Sequence, residues 1–137
     1  MKVQFTVQGL PPKKDGANSM WGKREETPKI VALRKEASKA FAGRPPLRTN
    51  IRLTVRAYVG PTNTSSTGDL DNFLTGICDG LQAAHPRAHV LGDYDDVIRP
   101  SKVIGIVNDT DIIEIHAHKM IQAVAAPFYE VVLEGEP

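Results

Sequence analysis

Val3, Phe5 and Val7 alternate with Lys2, Gln4 and Thr6, a period of two that predicts a half-buried strand over residues 2–9. Gly9-Leu10-Pro11-Pro12 stops it, and residues 10–25, around the run KKDGANSMWGKR, have no period and read as a basic loop. From Thr27, a potential cap with Pro28 at the first helical position, Ile30, Val31, Leu33, Ala37, Ala40 and Phe41 share one side of a helix that Gly43-Arg44-Pro45-Pro46 ends. Ile51, Leu53, Val55, Ala57 and Val59 then alternate with Arg52, Thr54, Arg56 and Tyr58 in a second strand. Beyond the polar Gly60–Gly68 loop, Phe73, Leu74, Ile77, Cys78 and Leu81 recur at helical spacing, with Asn72, Thr75 and Asp79 on the other side. His85 to Gly105 is a long connection with two prolines and two histidines. Residues 111–121 predict a third strand, with Ile113, Ile115 and Ala117 on one face and Glu114, His116 and His118 on the other, and Phe128 to Leu133 a closing strand. The expectation is one α/β domain spanning 1–137, with four strands and two main helices.

At 137 residues and 41% hydrophobic content the chain supports one real core. No apolar run is long enough for a signal peptide or a membrane span, so a cytoplasmic location is expected. Cys78, the single cysteine, lies on an apolar stripe and reads as a small core residue rather than a nucleophile. Net charge is only +1, but residues 1–60 hold 13 basic groups against 4 acidic ones, and residues 61–137 hold 4 against 12. A basic half for phosphates and an acidic half for a metal suit a nuclease; segregated solvated faces give the same count.

The acids carry the sharpest chemistry. If Gly68 to Asp71 is extended, Asp69 and Asp71 point the same way, Leu70 turns inward and Asp71 caps the following helix. With Asp109 they make three carboxylates which, at ~4 Å and an effective dielectric of about 20, repel by roughly 4 kcal/mol per pair unless a cation sits among them. Hard oxygen ligands suit Mg²⁺, or Mn²⁺, in phosphodiester hydrolysis. Asp69 and Asp71 also read simply as turn and cap residues. Asp95 and Asp96 rival Asp109 as ligands, or are solvated. Trp21, among Lys13, Lys14, Lys23 and Arg24, either stacks on bases or pins its loop, and Arg52 and Arg56 either line a phosphate track or are solvated. Glu114, His116 and His118 have zinc-compatible spacing without an evident fourth ligand.

Gly-Asp-Leu-Asp-Asn opening a helix that carries Asp79-Gly80-Leu81, followed by Asn108-Asp109 ahead of a strand with Lys119, resembles the RusA family of Holliday junction resolvases over Val3 to Leu133. The resemblance implies a small mixed α/β fold, a homodimer, and Mg²⁺-dependent symmetric nicking of branched DNA in recombination and repair. Asp69, Asp71 and Asp109 would be the metal-binding catalytic carboxylates and Lys119 the basic residue beside them. Lys13, Lys14, Lys23, Arg24, Arg52 and Arg56 would grip the DNA backbone. The chain departs from the family pattern at Thr75, a lysine slot, at Asn108, the first place of an Asp-Asp pair, and in its longer 85–105 insertion. Two rival expectations remain: a catalytically weak or inactive junction-binding module on the same fold, and a zinc hydrolase or zinc-stabilised domain using the His-x-His strand.

Overall fold

The computed structural model describes residues 1–14, 19–61 and 69–137. The elements run β1 (Lys2–Gln8), α1 (Thr27–Phe41), β2 (Thr49–Val59), α2 (Leu70–Leu81), β3 (Ile112–Ile121) and β4 (Phe128–Glu136). They form one mixed sheet of order β1-β4-β2-β3, with β4 antiparallel to both β1 and β2 and β3 parallel to β2. A parallel pair needs a crossover connection, which α2 and the 85–105 segment supply. The small α/β fold expected from the alternating patterns is therefore present. Residues 15–18 of the basic loop and 62–68 of the polar loop, Gly68 included, lie outside the described residues.

Both helices cover one face of the sheet. The rows Val3–Leu133–Leu53, Phe5–Val131–Val55 and Val7–Tyr129–Ala57 cross β1, β4 and β2 on that face and are buried against Leu33, Ala37, Phe41, Ile77 and Leu81 of the helices. Each Val, Leu, Ile or Phe among them removed from water contributes about 1.5–3 kcal/mol. β1 ends at Gln8, one residue early, because Gly9 turns the chain with φ +96°. The cap of α1 is Glu26 rather than Thr27; the buried Glu26 carboxylate accepts from the Lys13 N–H at 2.7 Å and pairs with Lys29 at 3.1 Å.

Arg34 shares the buried stripe of α1 with Ile30, Ala37 and Phe41. Its guanidinium donates to five main-chain carbonyls: Gly80 (2.7 Å) and Gln82 (2.9 Å) at the end of α2, and Ile98 (2.9 Å), Arg99 (2.7 Å) and Lys102 (2.7 Å) in the long connection. Burial pulls its pKa down to about 10, which leaves it charged at neutral pH. The cation also suits the negative end of α2. Residues 85–105, without a helix or strand of their own, are thereby fastened to the body of the domain.

Trp21 lies under that fastening, 4% exposed, with its ring 5.8 Å from Tyr94 and 5.2 Å from the Arg34 guanidinium. It pins the loop and is not an exposed platform for bases. A second correction concerns β3. Its alternation predicts one covered face, yet β3 is an edge strand whose Ile113 and Ile115 are 58% and 49% exposed.

Candidate functional site

Asp69 is extended (φ −82°, ψ 147°) and is itself the N-cap, its carbonyl accepting from the Phe73 N–H at 3.2 Å. The helix starts at Leu70, so the expected extended pair with Asp71 as cap does not form. Leu70 is half-buried and extends the stripe of Leu74, Ile77 and Leu81 by one place, which favours the earlier start. Asp71 falls in the first turn, where a negative charge complements the helix dipole. Both carboxylates are exposed, the Asp69 side chain makes no capping bond, and among the described residues neither carboxylate has an ion-pair or hydrogen-bond partner. Thr75 is exposed one turn on, its hydroxyl donating to the Asp71 carbonyl at 3.0 Å.

At the other end of α2, the Asp79 carboxylate is partly buried and pairs with Lys14 at 3.3 Å. Burial raises its pKa, the Lys14 ammonium opposes the rise, and Asp109 adds to it. Gln82 accepts from the Asp109 N–H at 3.3 Å and donates to the Cys78 carbonyl at 3.0 Å, tying Asp109 to the helix end. A cleft of about 440 Å³ opens beside these groups, lined by Lys14, Trp21, Asp79, Gln82, His85 and Arg87. Lys14 thus brings a cation from the basic loop to the α2 face that lacks one at Thr75.

Lys14 is held there by backbone as well as by charge. Its N–H donates to the Asn72 carbonyl at 3.3 Å, and the loop crosses α2 so closely at Gly76 that an added Cβ would overlap the Pro12 carbonyl and crowd the Lys13 Cα. Gly76→Ala would gain about 1 kcal/mol of helix propensity. The overlap is with backbone and costs about 3 kcal/mol, so net destabilisation in urea titration is the expected result.

For Asp79, the folded pKa stands above the ordinary 3.8, so the folded chain holds its proton more tightly than the unfolded one. Stability from this group is full below that ordinary value and falls as pH rises through the folded pKa. Asp79→Asn should accordingly gain stability relative to wild type as pH rises above the ordinary carboxylate range, read from paired urea titrations.

The helix separates the acids. Asp71 stands in the first turn of α2, whereas Asp109 is tied through the Gln82 side chain to the last turn. Among the described residues no three His, Cys, Asp or Glu form a group able to hold a metal ion. Asp69 and Asp71 have the hard-oxygen chemistry that Mg²⁺ takes, and Asp109 stands towards the other end of the helix from them. Lys119 lies opposite Ala57, on the helix side of β3 and towards the end of the sheet from which the chain leaves for α2.

The remaining candidates fall elsewhere. Arg52 and Arg56 project from the sheet face opposite the helices; Arg52 pairs with Glu114 at 2.8 Å and Arg56 with Glu130 at 3.9 Å. They share no track with Lys14. Lys13 lies at the α2 crossing, its N–H bonded to Glu26, and Lys23 and Arg24 follow the short turn containing Trp21. Glu114 has one oxygen on His116 (2.8 Å) and the other on Arg52, so it is engaged rather than poised as a zinc ligand with His118. Asp95 accepts from the Val97 and Ile98 N–H groups at 3.1 and 3.2 Å, a local turn, and Asp96 is exposed in the same segment. The Cys78 thiol is buried and pushed up to about 12, chiefly by burial, which suits a core residue.

The Lys14–Asp79 pair and the Gln82 bridge were not foreseen, because both depend on the path of the chain over α2. Arg34 did leave a signal: it occupies a position of the apolar stripe. No protein-family model matches the chain, and no curated protein matches it.

Proposed function

We propose that the protein is a Mg²⁺-dependent, structure-specific endodeoxyribonuclease that acts on branched DNA such as Holliday junctions as a homodimer, in recombination and repair. The observation that carries this reading is the exposed carboxylate pair Asp69 and Asp71 at the start of α2, unengaged among the described residues. Residues that served only as turn and cap would spend their oxygens on the first-turn N–H groups, and Asp69 does not. Asp109, Lys14 and the cleft at the other end of the same helix supply an acid and a cation for the same chemistry.

A second copy is integral to the reading, since carboxylates kept apart in one chain meet only between chains. Bound Mg²⁺ would supply charge stabilisation at the phosphate, with Asp69 and Asp71 among its holders. Lys14, positioned by Asp79, would contact a phosphate oxygen, and Arg87 and His85 would extend the basic rim. Two sites about a two-fold axis would address two strands of a symmetric junction, with shape rather than base sequence recognised.

The test is cleavage of an end-labelled mobile four-way junction against matched linear duplex, with Mg²⁺ and with EDTA. Paired, symmetric, metal-dependent nicks in the junction alone are expected. Salt-sensitive junction binding with no cutting under Mg²⁺ or Mn²⁺ would instead establish a non-catalytic junction-binding module, a reading that the separation of Asp109 from Asp69 and Asp71 favours over other rivals.

A further inference from the structure

Glu26 is the N-cap of α1, yet its carboxylate makes no bond to the first-turn N–H groups, the bonds that an N-cap side chain ordinarily makes. It is 1% exposed, with one oxygen accepting from the Lys13 N–H at 2.7 Å and the other paired with the Lys29 ammonium at 3.1 Å. The residue is itself fixed: its N–H donates to the Lys23 carbonyl at 3.1 Å and its carbonyl accepts from the Ile30 N–H at 2.9 Å. The next N–H along the loop, that of Lys14, goes to a different element, the Asn72 carbonyl in the first turn of α2 at 3.3 Å. Consecutive amides of the loop are thereby bonded to the starts of both helices, and the Lys14 ammonium stands 3.3 Å from Asp79 further along α2. These holds are unequal. The Asn72 bond is long, and the side chains of the Lys14–Asp79 pair are 40% and 25% exposed, which leaves the pair weak. A 2.7 Å bond to a buried carboxylate is the short, charge-assisted kind.

The geometry points to Glu26 as the residue that positions Lys14: by holding the Lys13 peptide against α1, it keeps the Lys14 ammonium over the end of α2, beside Asp79 and the cleft, where a phosphate oxygen of the DNA backbone would meet it. The phosphate contact rests on the nuclease reading; the hold of Glu26 on Lys14 does not. Glu26 is buried and acts through the Lys13 peptide rather than on the DNA. A carboxylate whose whole task was to start α1 would bond the first-turn N–H groups. One whose task was to pair with Lys29 would not need burial, since an i,i+3 pair forms on an exposed helix face. Reaching a peptide 13 residues away, the carboxylate instead sets the path of the loop. Gly76 lets that path lie close on α2, because any Cβ there would overlap the Pro12 carbonyl, the group joined directly to the Lys13 nitrogen.

The experiment reads where Lys14 lies, from nuclear Overhauser contacts between its side chain and Asp79 in the full chain without DNA, and then the salt dependence of junction binding. Wild type and Glu26→Gln, which keeps an oxygen for the Lys13 N–H, are expected to show the Lys14–Asp79 contact. Glu26→Leu, similar in bulk but without an acceptor, should lose it while Leu33 stays against Gly80, a contact between the two helices that a general loosening of α1 would disturb. Glu26→Asp, which keeps the charge and is one carbon shorter, should lose the Lys14–Asp79 contact too, and decides the matter where Glu26→Leu does not fold. On an end-labelled four-way junction, Glu26→Leu and Lys14→Met should each lower the salt slope of binding by about 1, and the double variant no further. A Lys14–Asp79 contact that survives in the Leu and Asp variants, or one absent from Glu26→Gln, would overturn the proposal. Loss of the contact as expected, alongside no binding or cutting of the junction by wild type, keeps the role of Glu26 and removes the nuclease reading; junction cleavage by wild type with the contact intact in Glu26→Leu does the reverse.

Discussion

Arg34→Ala should lower the unfolding free energy by about 4 kcal/mol, a loss as large as that of emptying a core position. Five carbonyls lose a charged donor at once. Hydrogen bonds to a charged group are each worth about 1.5–3 kcal/mol, and buried carbonyls left without a partner add a desolvation cost. The contributions are not additive, and burying a guanidinium without a carboxylate carries its own penalty, which Ala removes; about 4 kcal/mol is the balance expected. A small domain has only about 5–15 kcal/mol to lose. Arg34→Lys should fall between, because an ammonium offers three donors from one point and cannot span carbonyls on two segments. Urea titrations of the three proteins check the order wild type, Lys, Ala. Equal stability of the Lys variant and wild type would mean that the fork geometry is not what fastens the 85–105 segment.

Asp71→Asn should reduce the junction-cleavage rate roughly 10³-fold, equivalent to about 4 kcal/mol of lost transition-state stabilisation. Stability should barely move. Asp71 is exposed in the first turn of α2, so the cost to folding is only the helix-dipole contribution, about 0.5 kcal/mol. Asp109→Asn should show the same loss, and Asp96→Asn, at an exposed position in the long connection, none. Mixing Asp71→Asn chains with Asp109→Asn chains separates two arrangements. If each site draws Asp71 from one copy and Asp109 from the other, half of the sites in a mixed dimer are intact and single nicks return. If each site lies within one chain, every site carries a defect and nothing is restored.

The elements of the fold were readable because strands and helices here obey their periods. Val3, Phe5 and Val7 alternate and are buried; Leu74, Ile77 and Leu81 repeat at helical spacing and are inward. What alternation does not carry is neighbourhood. Ile113 and Ile115 have the pattern of core residues, yet β3 ends the sheet, and exposure is set by what lies across from a strand rather than by its own sequence. Arg34 was obscured for the converse reason: a charged residue on an apolar stripe is expected to reach solvent, and only the five carbonyls converging on it make burial tolerable. In the site, the residue types were legible and the distances were not. Asp69, Asp71 and Asp109 form one set of acids by motif, whereas in space Asp69 and Asp71 stand at the start of a twelve-residue helix and Asp109 is tied to its end.

The grip of Arg34 on the long connection has a consequence for how that segment can change. Ile98, Arg99 and Lys102 are held through carbonyl oxygens, a group every amino acid carries. Arg99 and Lys102 are themselves exposed. Their side chains can therefore be exchanged, or a new surface written onto this stretch, while the anchor stays in place; the one part that allows no substitute is the arginine on a different element.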